Sequence, residues 1–328
     1  MNGKLKIVVP LAGVGTRLRP HTFSMPKPLI PVAGKPMLAH VLDPLIDLVP
    51  EEIYFIIGHL GDQVVDFVRS NYNFRTTFIL QKELLGLGFA VHLALHELGR
   101  GPMLVVLGDT IARTDFSKFI RSGQNVIGLQ QVEDPRRFGV AVVDNGKIVA
   151  LEEKPQHPKS DLALIGLYYF EDIGNLHNHL NKLIDLDKRT DGEIQLTDAL
   201  ELMIHAGEKF SPFEVDDWYD CGKVETLLKT NRRLLAEFDA GRDYPGSVII
   251  PPVSISLSAE IEDSVVGPYV SISDKARITR SIISDSIIFR NASVEHAILD
   301  SSLVGENTVI SGRYRRLNVG ESSGVGDL

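Results

Sequence analysis

The chain has 328 residues, 44% hydrophobic and 23% charged, which suits one large globular domain plus a smaller one and excludes a disordered chain. The balance of 34 Lys and Arg against 43 Asp and Glu leaves a formal charge of −9. Wholesale nucleic-acid binding by counterion release is therefore not expected, and an anionic substrate must be met by local cations or a metal. A single cysteine, Cys221, excludes an internal disulfide and fits a reducing compartment. No apolar run approaches the roughly 18 residues of a membrane span. Lys4 and Lys6 before an apolar stretch imitate a signal peptide, but Arg17 and Arg19 follow directly and no small-x-small cleavage site does. A buried first strand and a cytoplasmic enzyme are the expectation.

The first predicted strand, Ile7-Val8-Val9-Pro10, runs into Leu11-Ala12-Gly13-Val14-Gly15-Thr16-Arg17-Leu18-Arg19-Pro20 and then Met25-Pro26-Lys27-Pro28. Gly13 and Gly15 let backbone N–H groups approach phosphate oxygens, and Arg17, Arg19 and Lys27 bring positive charge to the same loop. Lys27, held between two prolines, has little freedom to wander. Two better-known phosphate loops fail. Leu18 stands where a dinucleotide fingerprint needs its third glycine, and each Gly-Lys pair is followed by Leu5, Pro36, Ile148 or Val224 rather than Ser or Thr.

Downstream, Gly34-Lys35-Pro36-Met37 is expected to open a helix with proline in its first turn and Met37, Val41, Leu45 and Leu48 as its apolar stripe. Glu52 to Ile57 and Thr76 to Leu80 read as strands, with a helix between them that buries Val64, Val65 and Val68. Gln81 follows at a strand's end, where its planar amide can pair with the edge of a uracil or thymine ring, and Phe89 to Leu98 is helical. His92 and His96 lie four apart on that helix, but Leu93 stands where a zincin glutamate would be. Met103 to Leu107 is the strongest buried-strand run and delivers Asp109, a hard oxygen ligand suited to Mg²⁺. Asn125 to Val132 is a strand, and Asn145-Gly146 marks a hairpin between Phe138–Val143 and Lys147–Glu152. A strand over Ala163 to Phe170 surrounds Gly166. Two helices, a strand over Phe210 to Val215 and a helix from Lys223 to Phe238 complete an α/β domain.

The pattern then changes. Ile255, Ile261, Val266, Ile272, Ile278, Ile283, Ile288, Val294, Leu299, Val304 and Ile310 recur every five or six residues, which reads as a parallel β-helix of hexapeptide turns. The domains read from this are 1–240, a linker 241–247, and 248–328. Arg313, Arg315 and Arg316 form a small basic cluster taken as a solvated face.

Leu-Ala-Gly-x-Gly-Thr-Arg-Leu-x-Pro followed by Pro-Lys-Pro resembles the signature of the sugar-1-phosphate nucleotidylyltransferases, also called nucleotide-sugar pyrophosphorylases. Four further stretches resemble that family in its order: Gln81 with Leu85-Gly86, Leu107-Gly108-Asp109, Phe138-Gly139-Val140 with Glu153-Lys154-Pro155, and Trp218-Tyr219-Asp220-Cys221-Gly222. The resemblance implies a Rossmann-like mixed α/β nucleotidyltransferase domain followed by a short left-handed parallel β-helix. It implies that Leu11, Ala12, Gly13, Gly15, Thr16 and Arg17 bind the triphosphate, and that Gln81 and Gly86 line the base pocket. Gly139, Glu153, Lys154 and Gly166 would hold the sugar phosphate, Asp109 and Asp220 would bind Mg²⁺, and Arg17, Lys27 and Lys154 would serve transfer. The implied substrates are an NTP and a sugar 1-phosphate, dTTP with glucose 1-phosphate before UTP, and then GTP with mannose 1-phosphate. A homo-oligomer is expected. Two other classes are weaker: a non-catalytic regulatory subunit, since Asp109, Asp220, Lys27 and Lys154 are all present, and acyl transfer by the tail, where His296 is the one histidine.

Overall fold

The computed structural model describes residues 4–120, 124–236, 238, 243–312 and 317–326. The chain packs as two compact units, one of residues 1–13 and 41–218, the other of 14–40 and 219–328. The strands up to the tail are β1 (Lys6–Pro10), β2 (Pro31–Val32), β3 (Lys35–Pro36), β4 (Glu52–Ile57), β5 (Thr76–Leu80), β6 (Met103–Val106) and β7 (Thr110–Arg113). They continue as β8 (Asn125–Gln131), β9 (Gly139–Asp144), β10 (Lys147–Glu153), β11 (Leu162–Phe170), β12 (Phe210–Glu214) and β13 (Asp217–Asp220). The helices are α1 (Met37–Leu42), α2 (Gly61–Asn71), α3 (Leu87–Leu98), α4 (Phe116–Ile120), α5 (Gly174–Asp185), α6 (Leu196–His205) and α7 (Val224–Leu235).

The first unit is built on a nine-stranded sheet in the order β5-β4-β1-β6-β11-β8-β12-β10-β9. Strands β5, β4, β1 and β6 are mutually parallel, and β11 runs antiparallel to β6 and to β8. Parallel strands must be covered on both faces, which explains their unbroken aliphatic runs. Val8, Ile56, Met103 and Val105 point into a cluster capped by Ala90, Val91 and Ala94 of α3, Leu176 and Leu180 of α5 and Leu200 and Met203 of α6. Ile7, Val9, Phe55 and Leu104 alternate with them and are also fully buried. Each such side chain contributes about 1.5–3 kcal/mol. Since β1, β4, β5 and β6 all end on the same edge, the loops after them, which carry Leu11, Gly58, Gln81 and Asp109, share that edge.

Two local expectations are corrected. Lys35–Pro36 does not open a helix; it forms β3, paired with β2 through a turn in which Ala33 and Gly34 both have positive φ, and α1 starts at Met37. That helix gives way to a 3₁₀ turn over Asp43–Leu48, so Leu45 is buried and Leu48 only half-buried. The last helix stops at Leu235 rather than Phe238.

In the second unit, the described residues of 248–312 and 317–325 form three parallel sheets stacked as in a β-helix. Val253 pairs with Val270 and Ile287 with Leu303, so a coil takes 17 and then 16 residues, short of the roughly 18 of three hexapeptides. The recurring aliphatics from Ile261 to Ile310 fill the interior. Asp263, Asp285, Asn291, Ser301 and Asn307 turn the corners with positive φ, a conformation that Asp and Asn tolerate better than most. Arg313, Arg315, Arg316 and residues 241–242 of the expected linker lie outside the described residues.

The segment 14–40 joins this unit through Asn231 of α7, which is fully buried. Its Oδ1 accepts from the Ala33 N–H at 2.9 Å and from the Ser271 hydroxyl at 2.7 Å, and its Nδ2 donates to the Tyr269 carbonyl at 3.1 Å. Asn231→Ala would strand these groups in the interior at about 1–3 kcal/mol each. The expected outcome is a clearly lower urea midpoint, whereas Lys229→Ala on the same helix leaves it near the wild-type value; equal midpoints for the two variants would dismiss the Asn231 node.

Candidate active site

At the edge where β1 ends, a side chain at either of two flanking glycines would collide with its neighbours. A Cβ on Gly108 would lie 1.8 Å from Leu11 Cδ2, and one on Gly58 would lie 2.7 Å from the Ala12 carbonyl oxygen. Leu11 and Ala12 are thereby wedged between the loops that follow β4 and β6, one residue from half-buried Asp109. Gly166 breaks the register of β11 opposite the same place. It has φ +84, its carbonyl accepts from Leu107 N, and a Cβ there would meet Leu107 at 2.6 Å. Gly166 thus bonds to the backbone two residues before Asp109.

Gln81 is buried, with 4% of its surface exposed. Its N–H donates to the Ile57 carbonyl at 2.8 Å and its Nε2 donates to the Glu83 carbonyl at 3.0 Å. An amide carries two N–H donors and a carbonyl, so the glutamine is oriented by one bond and keeps chemistry for a planar ring edge. Gly86, with φ +102, starts α3 by lying against Glu193 and Ile194. Gly88 N donates to the Ile194 carbonyl at 2.9 Å, which ties the 81–88 segment to the run before α6.

A second group forms where β9 and β10 pair. Gly139 lies opposite Glu153 in register, and a Cβ on Gly139 would be 2.9 Å from Glu153 Oε2. Thr197, in the first turn of α6, donates its hydroxyl to that same Oε2 at 2.7 Å. Lys154 Nζ lies 3.3 Å from Glu153 Oε1, and its backbone N–H donates to the Phe138 carbonyl with φ +41. The expected Gly139, Glu153 and Lys154 are therefore one cluster. Thr197 was missed as a site residue. Its signal was present in the family-like run Glu193 to Ala199, but a threonine in a helix's first turn reads as an ordinary helix start.

In the second unit, Gly15 adopts φ +67 and receives Leu18 N–H and the Thr22 hydroxyl on its carbonyl, at 2.9 and 3.0 Å. A Cβ on Gly15 would lie 3.0 Å from Lys27 Cβ and 3.4 Å from Lys27 Cδ, so Lys27 runs along the glycine of the loop. Thr16 and Arg17 are exposed beside it, on the 3₁₀ turn Thr16–Leu18. A concavity of about 600 Å³ is lined by Arg17, Lys223, Glu225, Ser301 and Asn318. Asp220 ends β13, and its Oδ1 accepts from Gly222 N at 2.8 Å. Gly13 and Asp109 belong to the first unit, and Gly15, Arg17, Lys27 and Asp220 to the second. His21, beside this loop, is buried, bonded through Nε2 to Asn318 Oδ1 at 2.6 Å and tilted against the Phe289 ring, with centroids 5.2 Å apart. Burial holds its imidazole below the ordinary 6.5, more than the Asn318 bond raises it.

Two outcomes follow. Gly139→Ala pushes on the Glu153 carboxylate rather than on backbone, so the fold survives while Glu153 is displaced; a urea midpoint near the wild-type value is expected, and a collapsed midpoint would show that the contact bears on backbone. The folded His21 resists a proton that the unfolded chain accepts below about pH 6.5, so this contribution to stability is complete above that pH and is lost as the pH falls. Urea midpoints from pH 8 to 5 should fall more steeply for the wild type than for His21→Asn, and parallel curves would exclude the linkage.

The sequence profile of the nucleotidyl transferase family matches residues 6–237. Similar proteins include a "Bifunctional protein GlmU" of Methanococcus aeolicus, 32% identical over 92% of this chain and 77% of that protein. A "Glucose-1-phosphate thymidylyltransferase" of Streptomyces antibioticus is 31% identical over 94% of each chain. The solved structure of a candidate glucose-1-phosphate thymidylyltransferase from Bacillus anthracis, in complex with a sucrose, superposes with a TM-score of 0.62 at 29% identity, over 73% of this chain and 98% of that one. No helix among the described residues is long and apolar enough to cross a membrane. With a family profile covering most of the chain and relatives that span nearly all of it, the chain belongs to the nucleotidyl transferase family.

Proposed function

We propose that the protein transfers a nucleotidyl group from an NTP to a sugar 1-phosphate, giving an NDP-sugar and pyrophosphate. The observation that carries this reading is the Gly15–Lys27 contact, which seats a lysine along a glycine loop whose next residues are Thr16 and Arg17. A sugar-phosphate oxygen forms a bond to the α-phosphorus while the bond from that phosphorus to the β-phosphate oxygen breaks in line, and the electron pair leaves with pyrophosphate. No protein nucleophile is needed, so alignment and charge stabilisation carry the catalysis. Arg17 and the amides of Leu11, Ala12, Gly13, Gly15 and Thr16 would hold the β and γ phosphates, and Lys27 would offset charge developing around the α-phosphoryl. Lys154, now paired with Glu153 at 3.3 Å and partly exposed, would exchange that partner for the incoming phosphate, while Glu153, held by Thr197, takes sugar hydroxyls. Gly166 would leave room for the sugar.

Asp109 and Asp220 are half-buried carboxylates, a donor set whose hard oxygens fit Mg²⁺. When bound, the ion would neutralise and orient nucleotide oxygens. The preferred pair is dTTP with glucose 1-phosphate, a reading supported by relatives named for that activity over 94% of both chains and by the oriented Gln81 amide. UTP is the nearest rival, since uracil differs from thymine by one methyl group. We further propose domains of 1–240 and 248–328 joined by 241–247, with left-handed winding of the tail.

The test is pyrophosphate release with Mg²⁺, crossing dTTP, UTP, GTP, CTP and ATP with glucose 1-phosphate and mannose 1-phosphate. Fastest release with dTTP and glucose 1-phosphate is expected. Another best pair would correct the substrates, and silence across the grid from folded protein would overturn the reading in favour of a regulatory subunit. Lys27→Ala should lower kcat by about 10²-fold or more with a small change in nucleotide affinity.

A further inference from the structure

Three histidines meet on the helical face of the first unit, and none of them belongs to the site proposed for nucleotide or sugar phosphate. His92 and His96 stand one turn apart on α3, and His177 lies in the first turn of α5, which packs against α3. Each offers a ring nitrogen within 4.8 Å of those of the other two. The rings stand edge to face, with centroids 4.5 Å apart for His92 and His96, 5.0 Å for His96 and His177, and 5.7 Å for His92 and His177.

Packing alone explains this arrangement poorly. His92 Nε2 and His96 Nε2 are 3.0 Å apart, a bond in which one nitrogen can donate and the other must accept. His177 Nε2 is buried and has no hydrogen-bond partner, and neither does His92 Nδ1. A buried polar nitrogen without a partner costs about 1–3 kcal/mol, so three rings converging with two such atoms is a cost that a hydrophobic residue at any of the positions would avoid.

We propose that His92, His96 and His177 form a binding site for a borderline transition-metal cation, Zn²⁺ being the fitting one, that clamps α3 to α5. Imidazole nitrogens are the natural ligands of such ions, and His at i and i+4 is the helical spacing that presents two of them together. Bonds of about 2.0–2.1 Å in a tetrahedron place ligand nitrogens about 3.3 Å apart. The 3.0 Å pair opens slightly and the third ring closes in by rotation about its side-chain bonds. His96 is exposed, which gives the ion a way in and leaves a fourth position for water.

The surroundings favour a cation as well. Asp185, at the end of α5, acts on His92 with a negative charge. The clamp would be structural: α3 starts at Gly86, directly after the Gln81 segment, and fixing α3 to α5 fixes where that segment begins its helix. The chemistry is also unlike that of Asp109 and Asp220, since three nitrogens select Zn²⁺ where carboxylates select Mg²⁺.

The experiment uses the full chain stripped with EDTA, in buffer with Mg²⁺ in excess to occupy the carboxylates. Zn²⁺ binding is measured by competition with a chromophoric chelator, and Tm with and without Zn²⁺. Wild type is compared with His96→Ala, an exposed position that leaves the fold intact, and with His177→Gln. One Zn²⁺ per chain is expected in the wild type, bound at least about tenfold more weakly by each variant. A Zn²⁺-dependent rise in Tm is expected in the wild type and not in the variants. Equal Zn²⁺ affinity in all three proteins, or no stoichiometric binding by the wild type, would overturn the proposal. Neither result touches the transferase reading, which is assayed by pyrophosphate.

Discussion

The buried amide of Asn231 is the point on which the second unit closes. It lies on α7 and bonds at once to Ala33, from the segment that carries the glycine loop, and to Tyr269 and Ser271, from the parallel stack. A neutral amide is suited to this position because it supplies both a donor and an acceptor and brings no charge to be desolvated. Other contacts extend the same seam. Gly34 passes so close to Ser254 that a Cβ there would lie 2.2 Å from its hydroxyl, Gly320 lies against Pro20, and His21 reaches Asn318. Arg232, the neighbour of Asn231 on α7, pairs with buried Asp285 through both guanidinium forks. The stretch with Arg17 and Lys27 is thus seated on the stack, and the tail is part of its support.

The first unit solves a different problem, which is to bring backbone from several strand ends close together without side chains intervening. Gly58 and Gly108 admit Leu11 and Ala12, and Gly166 admits Leu107. At each of these a methyl group would meet backbone or a packed leucine, so the geometry is set by what is missing. The Glu153 cluster is the complement. There Gly139 clears space, Thr197 fixes one carboxylate oxygen and Lys154 pairs with the other. Lys154 is exposed, whereas the Glu153 carboxylate is nearly buried and is held on its other oxygen by Thr197.

Strands whose burial is continuous were legible in the sequence, because Ile7-Val8-Val9 and Met103 to Val106 have no polar residue to mislead the reading. The motif stretches were legible as residues at strand ends, and Leu11, Gln81 and Asp109 do follow β1, β5 and β6. What was hidden is long-range. Ala33 and Asn231 are 198 positions apart, and a helical asparagine between leucines and arginines reads as surface until its partners are known. Thr197 meets Glu153 across 44 positions, and only the packing of α5 on α3 brings His177 to His92 and His96. Pro36 misled locally. Proline is favoured at a helix start, but Ala33 at φ 46 makes a tight turn that returns the chain as a two-residue strand, and alanine gives no warning of a left-handed turn.

The stack achieves rigidity with small side chains. One aliphatic per side points inward, and buried serines carry a second ladder beside it. The Ser264 hydroxyl accepts from Ser281 N and the Ser281 hydroxyl accepts from Ala297 N, while the Ser286 hydroxyl accepts from Ser302 N and the Ser302 hydroxyl from Leu317 N, each at 3.0–3.1 Å. These four corner N–H groups therefore bond to the coil before them, and each of the four hydroxyls also donates to a carbonyl two residues earlier. A serine fits a coil of 16 or 17 residues because it turns the chain and satisfies a backbone donor in the same step. The segment that carries Arg17 and Lys27 therefore rests on a stack in which hydrogen bonds, as well as aliphatic packing, run from coil to coil.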